Sequence, residues 1–551
     1  MKRLANQLKS GLFIAVLVIV TAPLSGCEQG VYDARVSGRQ VLTPPAPAAP
    51  RINGPEVYGC RPDKPIVYRV PTTGNRPIEF SAEGLPESIR LDPWKGILTG
   101  RTPAKKGEYT VTLHAKNSRG RDSATLTLVV GDKLALTPPM GWNDWYTHYS
   151  FVTDKDIRAA ADAMVASGMA DVGYSYVSID DCWMRVPDDC MKIVLDRASK
   201  FSGRPFDTDA KRGPTRDADG RILPARDFPD MKALTGHIHA YGLKAGIYTS
   251  PGPRTCARFE GAYGHEEQDA RSFAQWGFDL LKYDWCSYNE IYTKRMQELR
   301  KDPNKVVPEH RRPYVQMCKL VAELDRDIVL NLCQYGMAEV WKWGGLVGGQ
   351  SWRVGGDLGF TLTKGGVYKT ARKTIDIGRF NGPANWNDPD YLILGNWKTP
   401  ATGGGKLQAV DLTPNEQYSY VSLWCMMACP MFFSGDMATV DDFTYGLLCN
   451  AEMIAVNQDR LGKCAEPVVM DANQWVLKKP LADGSLVVGL FNLDKSADRD
   501  IAVTWAQLGL TGPAQAPARD LWRQRDVQFP ADGMKVKLSP LGCAVFKIGK
   551  R

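Results

Sequence analysis

The sequence predicts an α/β protein: a (β/α)8 barrel of the TIM type, flanked by an N-terminal Ig-like β-sandwich and a C-terminal antiparallel β-sandwich. Three observations carry this expectation. From Leu134 onward, eight short apolar runs alternate with amphipathic stretches. The runs are apolar nearly throughout, as strands covered on both faces must be. Before and behind this region the rhythm changes to short alternating strands separated by turn residues, with no helical period.

Taken in order, residues 1–27 read as an export signal. Lys2 and Arg3 precede the apolar run Gly11–Val20, which is too short to span a bilayer. The run ends in "LSGC", Leu24–Cys27, which resembles a bacterial lipobox. A lipid anchor on Cys27 is therefore expected. The chain would be an exported cell-envelope lipoprotein, periplasmic or on the outer surface. Residues 28–50 end in "VLTPPAPAAP" and read as a stiff Pro/Ala-rich linker that spaces a domain from its anchor. Residues 51–131 carry "KPIVYRV", "IEFSA", "GEYTVTLHAKN" and "SATLTLVV", broken by the turns "DPWKG" and "NSRG", and give the Ig-like sandwich. Residues 134–460 give the barrel. Its strands are "MGWNDW", "YSYVSIDDCW", "LKAGIYTS", "FDLLKYDWC", "DIVLNLCQYG", "SWRVGGD", "ANWNDPDYL" and "PMFFSGD". Residues 462–551 return to hairpin chemistry in "QWVLKKPLADGSLVVGLFNL" and "CAVFKIG".

Composition removes several classes. The net charge is +8, but 69 basic and 61 acidic residues are mixed along the chain. No basic block suggests a nucleic-acid surface. Thirteen cysteines suit an oxidising compartment, yet most lie in apolar runs and none has zinc-finger spacing. No metal or cofactor is expected. Oligomeric state is not readable.

In a barrel of this kind, reactive groups occupy the C-terminal ends of strands. The sequence places polar residues there repeatedly: Asp144 and Trp145, Asp180 and Asp181, Tyr248, Lys282 and Asp284, Gln334 and Tyr335, Arg353 and Asp357, and Asp390. The two-residue strand period puts Lys282 and Asp284 on one face. An ammonium beside a sheltered carboxylate favours its ionised form, which makes Asp284 a candidate nucleophile. The pair reads equally as a structural ion pair. Asp357, just after two glycines, is the best second carboxylate, or else a turn cap. Two carboxylates facing one sugar ring is the standard arrangement for glycoside hydrolysis. Asp180 and Asp181 are adjacent, so a regular strand would send them to opposite faces; both reach one site only if the strand ends or bulges there. They suit a clamp on neighbouring hydroxyls, with hard-cation binding as the rival reading.

Together "TPPMGWNDW", "YSYVSIDDCW", "GLKAGIYTSPGPRTCA", "GFDLLKYDWCSY", "SWRVGGD" and "NWNDPDYL" resemble glycoside hydrolase family 27, the α-galactosidase and α-N-acetylgalactosaminidase family. The resemblance implies retaining double displacement on a terminal α-D-galactosyl residue of an oligo- or polysaccharide. It implies Asp284 as nucleophile and Asp357 as acid/base, with Asp180 and Asp181 holding O4 and O6. It further implies sugar contacts from Trp145, Tyr248, Lys282, Arg353 and Asp390, and a disulfide between Cys256 and Cys286.

Two departures stand out. Gln334 occupies the place where many members carry Glu, at a position expected to read the C2 substituent. No small Ser/Ala pair opens that place, so a free 2-hydroxyl is expected over an N-acetyl group. The Asp180–Asp181 pair favours galactose over β-L-arabinopyranose. The partner that some relatives provide for Cys182 is missing, and Cys190 is the local substitute. Within the family, β-L-arabinopyranosidase and α-N-acetylgalactosaminidase are the alternative activities. A non-catalytic carbohydrate-binding envelope protein is a third reading, which the presence of both Asp284 and Asp357 disfavours.

Overall fold

The computed structural model describes residues 30–199, 205–298, 303–398, 407–510 and 518–549. The export signal and Cys27 lie outside the described residues.

Eight parallel strands build the centre: β1 Met140–Asn143, β2 Tyr176–Ser178, β3 Lys244–Thr249, β4 Leu280–Tyr283, β5 Val329–Leu332, β6 Ser351–Arg353, β7 Trp386–Asp388 and β8 Met431–Phe433. They neighbour one another in chain order from β1 to β7, and β8 pairs with β1. A parallel bridge between Leu392 and Phe433 closes the ring. There Leu392 N donates to Phe432 O at 2.7 Å and Ser434 N to Leu392 O at 2.9 Å. Leu134, Tyr176, Leu280 and Val329 form one apolar cluster with Phe432 packed on it. Three of them stand at or next to the first residues of β2, β4 and β5, so the cluster plugs the N-terminal end and leaves any central cavity opening at the other.

The helices follow from period and caps. Asp154–Ala166 begins with a capping box between Thr153 and Asp156 and buries Ile157, Ala160, Ala161 and Met164, one stripe at helical spacing. Pro414–Met427 starts with a Thr413–Glu416 box and buries every residue from Gln417 to Met427. It is apolar on all sides because the barrel covers one face and the C-terminal strands the other: Ser419 Oγ donates to Leu541 O at 2.8 Å.

The C-terminal sandwich pairs a six-stranded sheet with a three-stranded one. The smaller sheet corrects the reading of residues 28–50 as a free spacer. Tyr32–Asp33 forms its edge strand, parallel to Gly533–Leu538. Tyr32 donates to Asp520 Oδ2 at 2.8 Å. Leu42 N then donates to Tyr418 OH at 3.0 Å, and Thr43 Oγ1 to Gly446 O at 2.7 Å. The segment straps the sandwich to the barrel. Tyr32, Ala34 and Val36 are all buried, a period-two signal that the proline-rich stretch behind it obscures.

The Ig-like unit has a four-stranded and a three-stranded sheet around their own core. It docks on the base of the barrel. Arg61 donates to both oxygens of Asp327, ahead of β5, at 3.0 and 2.6 Å. Lys244, which opens β3, donates to Tyr58 OH at 2.7 Å.

Candidate active site

At the other end of the barrel, a cavity is walled by Trp145, Tyr146, Asp180, Asp181, Tyr248, Cys256, Lys282, Asp284, Tyr335, Arg353, Asp357, Asp390 and Tyr391.

β4 delivers Asp284, whose backbone N–H continues the ladder to Thr249 O at 2.9 Å. Its carboxylate is buried and held by three donors. Trp285 N (2.7 Å) and Tyr335 OH (2.8 Å) reach Oδ1; Tyr248 OH reaches Oδ2 at 2.9 Å. Burial lifts the Asp284 carboxyl above its ordinary range. Lys282 opposes the lift, Asp357 adds to it, and the bonds from Trp285 and Tyr335 resist it. Lys282 shares the face, as the strand period requires, but it does not contact Asp284. Its ammonium donates to Asp180 Oδ2 and Tyr391 OH, both at 2.8 Å.

β2 ends at Ser178, and both following aspartates enter the cavity because the strand has stopped. Cys182, next along, has φ +80° and turns the chain away. Asp180 Oδ2 also accepts from Tyr391 OH at 2.8 Å and Asn143 Nδ2 at 3.0 Å. Burial alone would raise the Asp180 carboxyl, but the Lys282 charge and hydrogen bond outweigh it and leave it below the usual value. Asp181 contacts no cation. Its oxygens accept from Cys182 N at 2.7 Å and Ala257 N at 2.8 Å, and burial pushes its carboxyl up to about 7.

β6 ends on Arg353, whose Nη2 lies 3.1 Å from Asp390 Oδ2 and 3.3 Å from Asp357 Oδ1. Burial pushes Asp390 up to about 6 against the pull of Arg353. Asp390 has φ +97° and accepts from Leu358 N at 2.6 Å, which pins the turn after Asp357. The Asp357 side chain makes no cap bond to the turn it starts and is 34% exposed. The two carboxylates thus differ: Asp284 is buried and held by three donors, Asp357 is open to solvent.

Cys256 and Cys286 are joined by a disulfide at the rim. Among the described residues, these sulfurs and Asp284 are the only His/Cys/Asp/Glu cluster tight enough for an ion, and both sulfurs are committed to each other. Cys182 and Cys190 are separate buried thiols, which corrects the expected local pairing.

Gln334 is the second correction. It is buried at 1% exposure, its amide donates to Met337 O at 2.8 Å, and it is not part of the cavity wall. Tyr335 has φ +62°, a left-handed turn that a pleated reading does not foresee, so the tyrosine faces the cavity instead. Tyr146 and Tyr391 are wall residues the sequence reading does not select; their only signal is adjacency to Trp145 and Asp390. Tyr335, expected at the end of the fifth strand without a sugar contact of its own, is the third.

Comparison with known proteins agrees with this architecture. The model described as "Alpha galactosidase A" matches residues 137–205 and 206–459. The chain belongs to glycoside hydrolase family 27, the α-galactosidase family. Family 27 membership extends to the sandwich, where "Alpha galactosidase C-terminal beta sandwich domain" matches 471–548, while "Putative Ig domain" matches 49–131. Alpha-galactosidase of Coffea arabica is 34% identical over 408 residues, 74% of this chain and 92% of that one. Alpha-galactosidase of Cyamopsis tetragonoloba is 31% identical over 421 residues, 76% of this chain and 87% of that one. A Bacteroides fragilis crystal structure described as a "putative alpha-galactosidase/melibiase" superposes with a TM-score of 0.79 at 34% identity, covering 93% of this chain and 99% of that one. The chain is therefore a glycoside hydrolase.

Proposed function

We propose that this enzyme removes terminal α-D-galactosyl residues from oligo- or polysaccharides with retention of configuration. The observation that carries the reading is the pairing of a buried, donor-held Asp284 with a solvent-facing Asp357 in one cavity at the mouth of the barrel. The cluster of Leu134, Tyr176, Leu280 and Val329 plugs the far end of the barrel, so the cavity admits a chain end and not a through-running chain.

Asp284 attacks the anomeric carbon while Asp357 protonates the departing oxygen. Asp357 then removes a proton from water, which attacks the same carbon and releases Asp284. The Lys282–Asp180–Tyr391 cluster and Asp181 present anionic acceptors to sugar hydroxyls, in keeping with the O4 and O6 roles implied by the family. Relatives named alpha-galactosidase support galactose over arabinopyranose and N-acetylgalactosamine. The lipobox-like "LSGC" supports attachment to the cell envelope through Cys27.

A panel of nitrophenyl glycosides tests the substrate. The α-D-galactoside should be cleaved at least ~10-fold faster than the β-L-arabinopyranoside, which lacks the C6 hydroxymethyl contact, and faster than the α-N-acetylgalactosaminide, which carries a bulkier group at C2. Faster cleavage of either competitor would reassign the enzyme. Metabolic labelling with a fatty acid tests the anchor: label should enter the wild type and not Cys27→Ala.

A further inference from the structure

The oxygens of Asp284 are not equivalent. Oδ1 accepts two bonds, from Trp285 N at 2.7 Å and Tyr335 OH at 2.8 Å. Oδ2 accepts one, from Tyr248 OH at 2.9 Å. An ionised carboxylate is acceptor-only, so both phenols must donate. The oxygen that attacks must give up lone-pair density, and Oδ2 has more of it free. Tyr335 is fixed for its task. Its backbone sits at φ +62°, its hydroxyl lies 3.6 Å from Cys256 Sγ, and the Arg353 guanidinium stands 5.9 Å from its ring centre.

We infer that Tyr335 is a positioning residue: with the Trp285 N–H it cradles Oδ1 as the non-bonding oxygen, so that Oδ2 forms the bond to the sugar. This rests on the retaining reading above. In the first step Oδ2 bonds to the anomeric carbon, the glycosidic C–O bond breaks, and the leaving oxygen takes the Asp357 proton. The charge leaves Asp284, and the Oδ1 donors lose part of their hold. In the second step water attacks the same carbon and gives a proton to Asp357. The C–Oδ2 bond then breaks and its electron pair returns to the carboxylate. The Tyr335 bond strengthens as that charge returns, so it assists release of the intermediate more than its formation.

The groups facing Asp284 are Lys282 on its own strand, Tyr248 on β3, Cys333 and Tyr335 after β5, Asp357 after β6, and Tyr314 from the helix Pro303–Ala322. Of the two hydroxyls on the Asp284 carboxylate, that of Tyr335 is the one that can be deleted without removing a bond from the attacking oxygen.

Tyr335→Phe is therefore assayed with nitrophenyl α-galactoside. On the alkaline side of the profile, kcat should fall about 10- to 100-fold, the worth of one bond to a charged group. KM should fall in step, so that kcat/KM is kept within about threefold, and a burst of one equivalent of nitrophenol should appear. The acid limb of kcat/KM should move to higher pH, because the deleted bond favours the ionised carboxylate. Parallel loss of kcat and kcat/KM with no burst and an unmoved limb would overturn the proposal. The wild type offers an independent readout if the variant does not fold. In a trapped glycosyl-enzyme structure the sugar should be bonded to Oδ2 with Tyr335 OH within hydrogen-bond reach of Oδ1; attachment through Oδ1 overturns it. A wild type that turns over a different glycoside sinks the galactose assignment alone, and the same tests then run on that glycoside.

Discussion

Each end of the barrel sets a half-buried lysine beside a tyrosine. At the base, Lys244 donates to Tyr58 OH at 2.7 Å, and the neighbouring carboxylates all touch cations. Asp279 lies 2.8 Å from His239 and 2.7 Å from Arg326, and Asp327 lies 2.6 Å from Arg61. At the mouth, Lys282 serves Asp180 and Tyr391, while Asp284 and Asp181 touch no cation at all. Asp390 Oδ1 is buried without a hydrogen-bond partner. Both ends are rich in charge, so charge alone does not mark a site. What marks it is charge left incompletely answered beside a cavity, a cost that folding does not require and a polar ligand can relieve. At the base the carboxylates are answered by cations, Arg61 of the docked Ig-like unit among them, and that unit sits away from the reaction.

The largest effects should come from the mouth. Asp284→Ala should lower turnover by at least ~10⁴-fold on any substrate. Asp357→Ala should lose about as much on a galactosyl disaccharide but less on a nitrophenyl galactoside, whose leaving group needs little protonation. Equal losses on both substrates would remove Asp357 from the acid role.

Lys282→Met comes next. It leaves Asp180 buried without its cation, so a loss of roughly 3–5 kcal/mol in stability is expected, together with at least ~10²-fold in kcat/KM. Denaturant melts and steady-state rates check both. At the base, Arg61→Ala should cost roughly 3 kcal/mol with kcat unchanged within twofold. A catalytic defect there would mean the two ends communicate.

The smallest effect is on pH, and it separates the ends by sign. Burial raises the Asp284 carboxyl, so the ion is the strained form: stability rises on acidification through that range while activity falls. Asp279 is the opposite case. Burial works against it, but the His239 bond and the Arg326 charge hold it below its ordinary value. Its stabilising share is present above the unfolded value near 3.9 and is lost only as pH falls through the lower folded one. Activity should therefore disappear on the acid side before the melting temperature drops. Simultaneous loss would contradict the contrast.

Much of this was legible in the sequence, for identifiable reasons. Strands buried on both faces leave continuous apolar runs, and β1 to β8 all showed them. Aspartates at strand ends were visible as polar interruptions of those runs. The misses have different causes. Tyr335 at φ +62° breaks the two-residue alternation that decides which side chain faces inward, so the sugar contact is expected from Gln334 and the wall is built by Tyr335. The strap Tyr32–Asp33 pairs with Gly533–Leu538, some five hundred positions away, a contact that local pattern does not encode. Lys282 was placed on the correct face but given the wrong partner, because Asp180 comes from a different strand.

Peptide mapping of enzyme trapped with a fluorinated, slow-turnover α-galactosyl donor tests the assignment most directly. The sugar mass should sit on the peptide spanning Leu280 to Tyr288, at Asp284. Stoichiometric labelling of any other carboxylate, or inactivation with no covalent adduct, would contradict it.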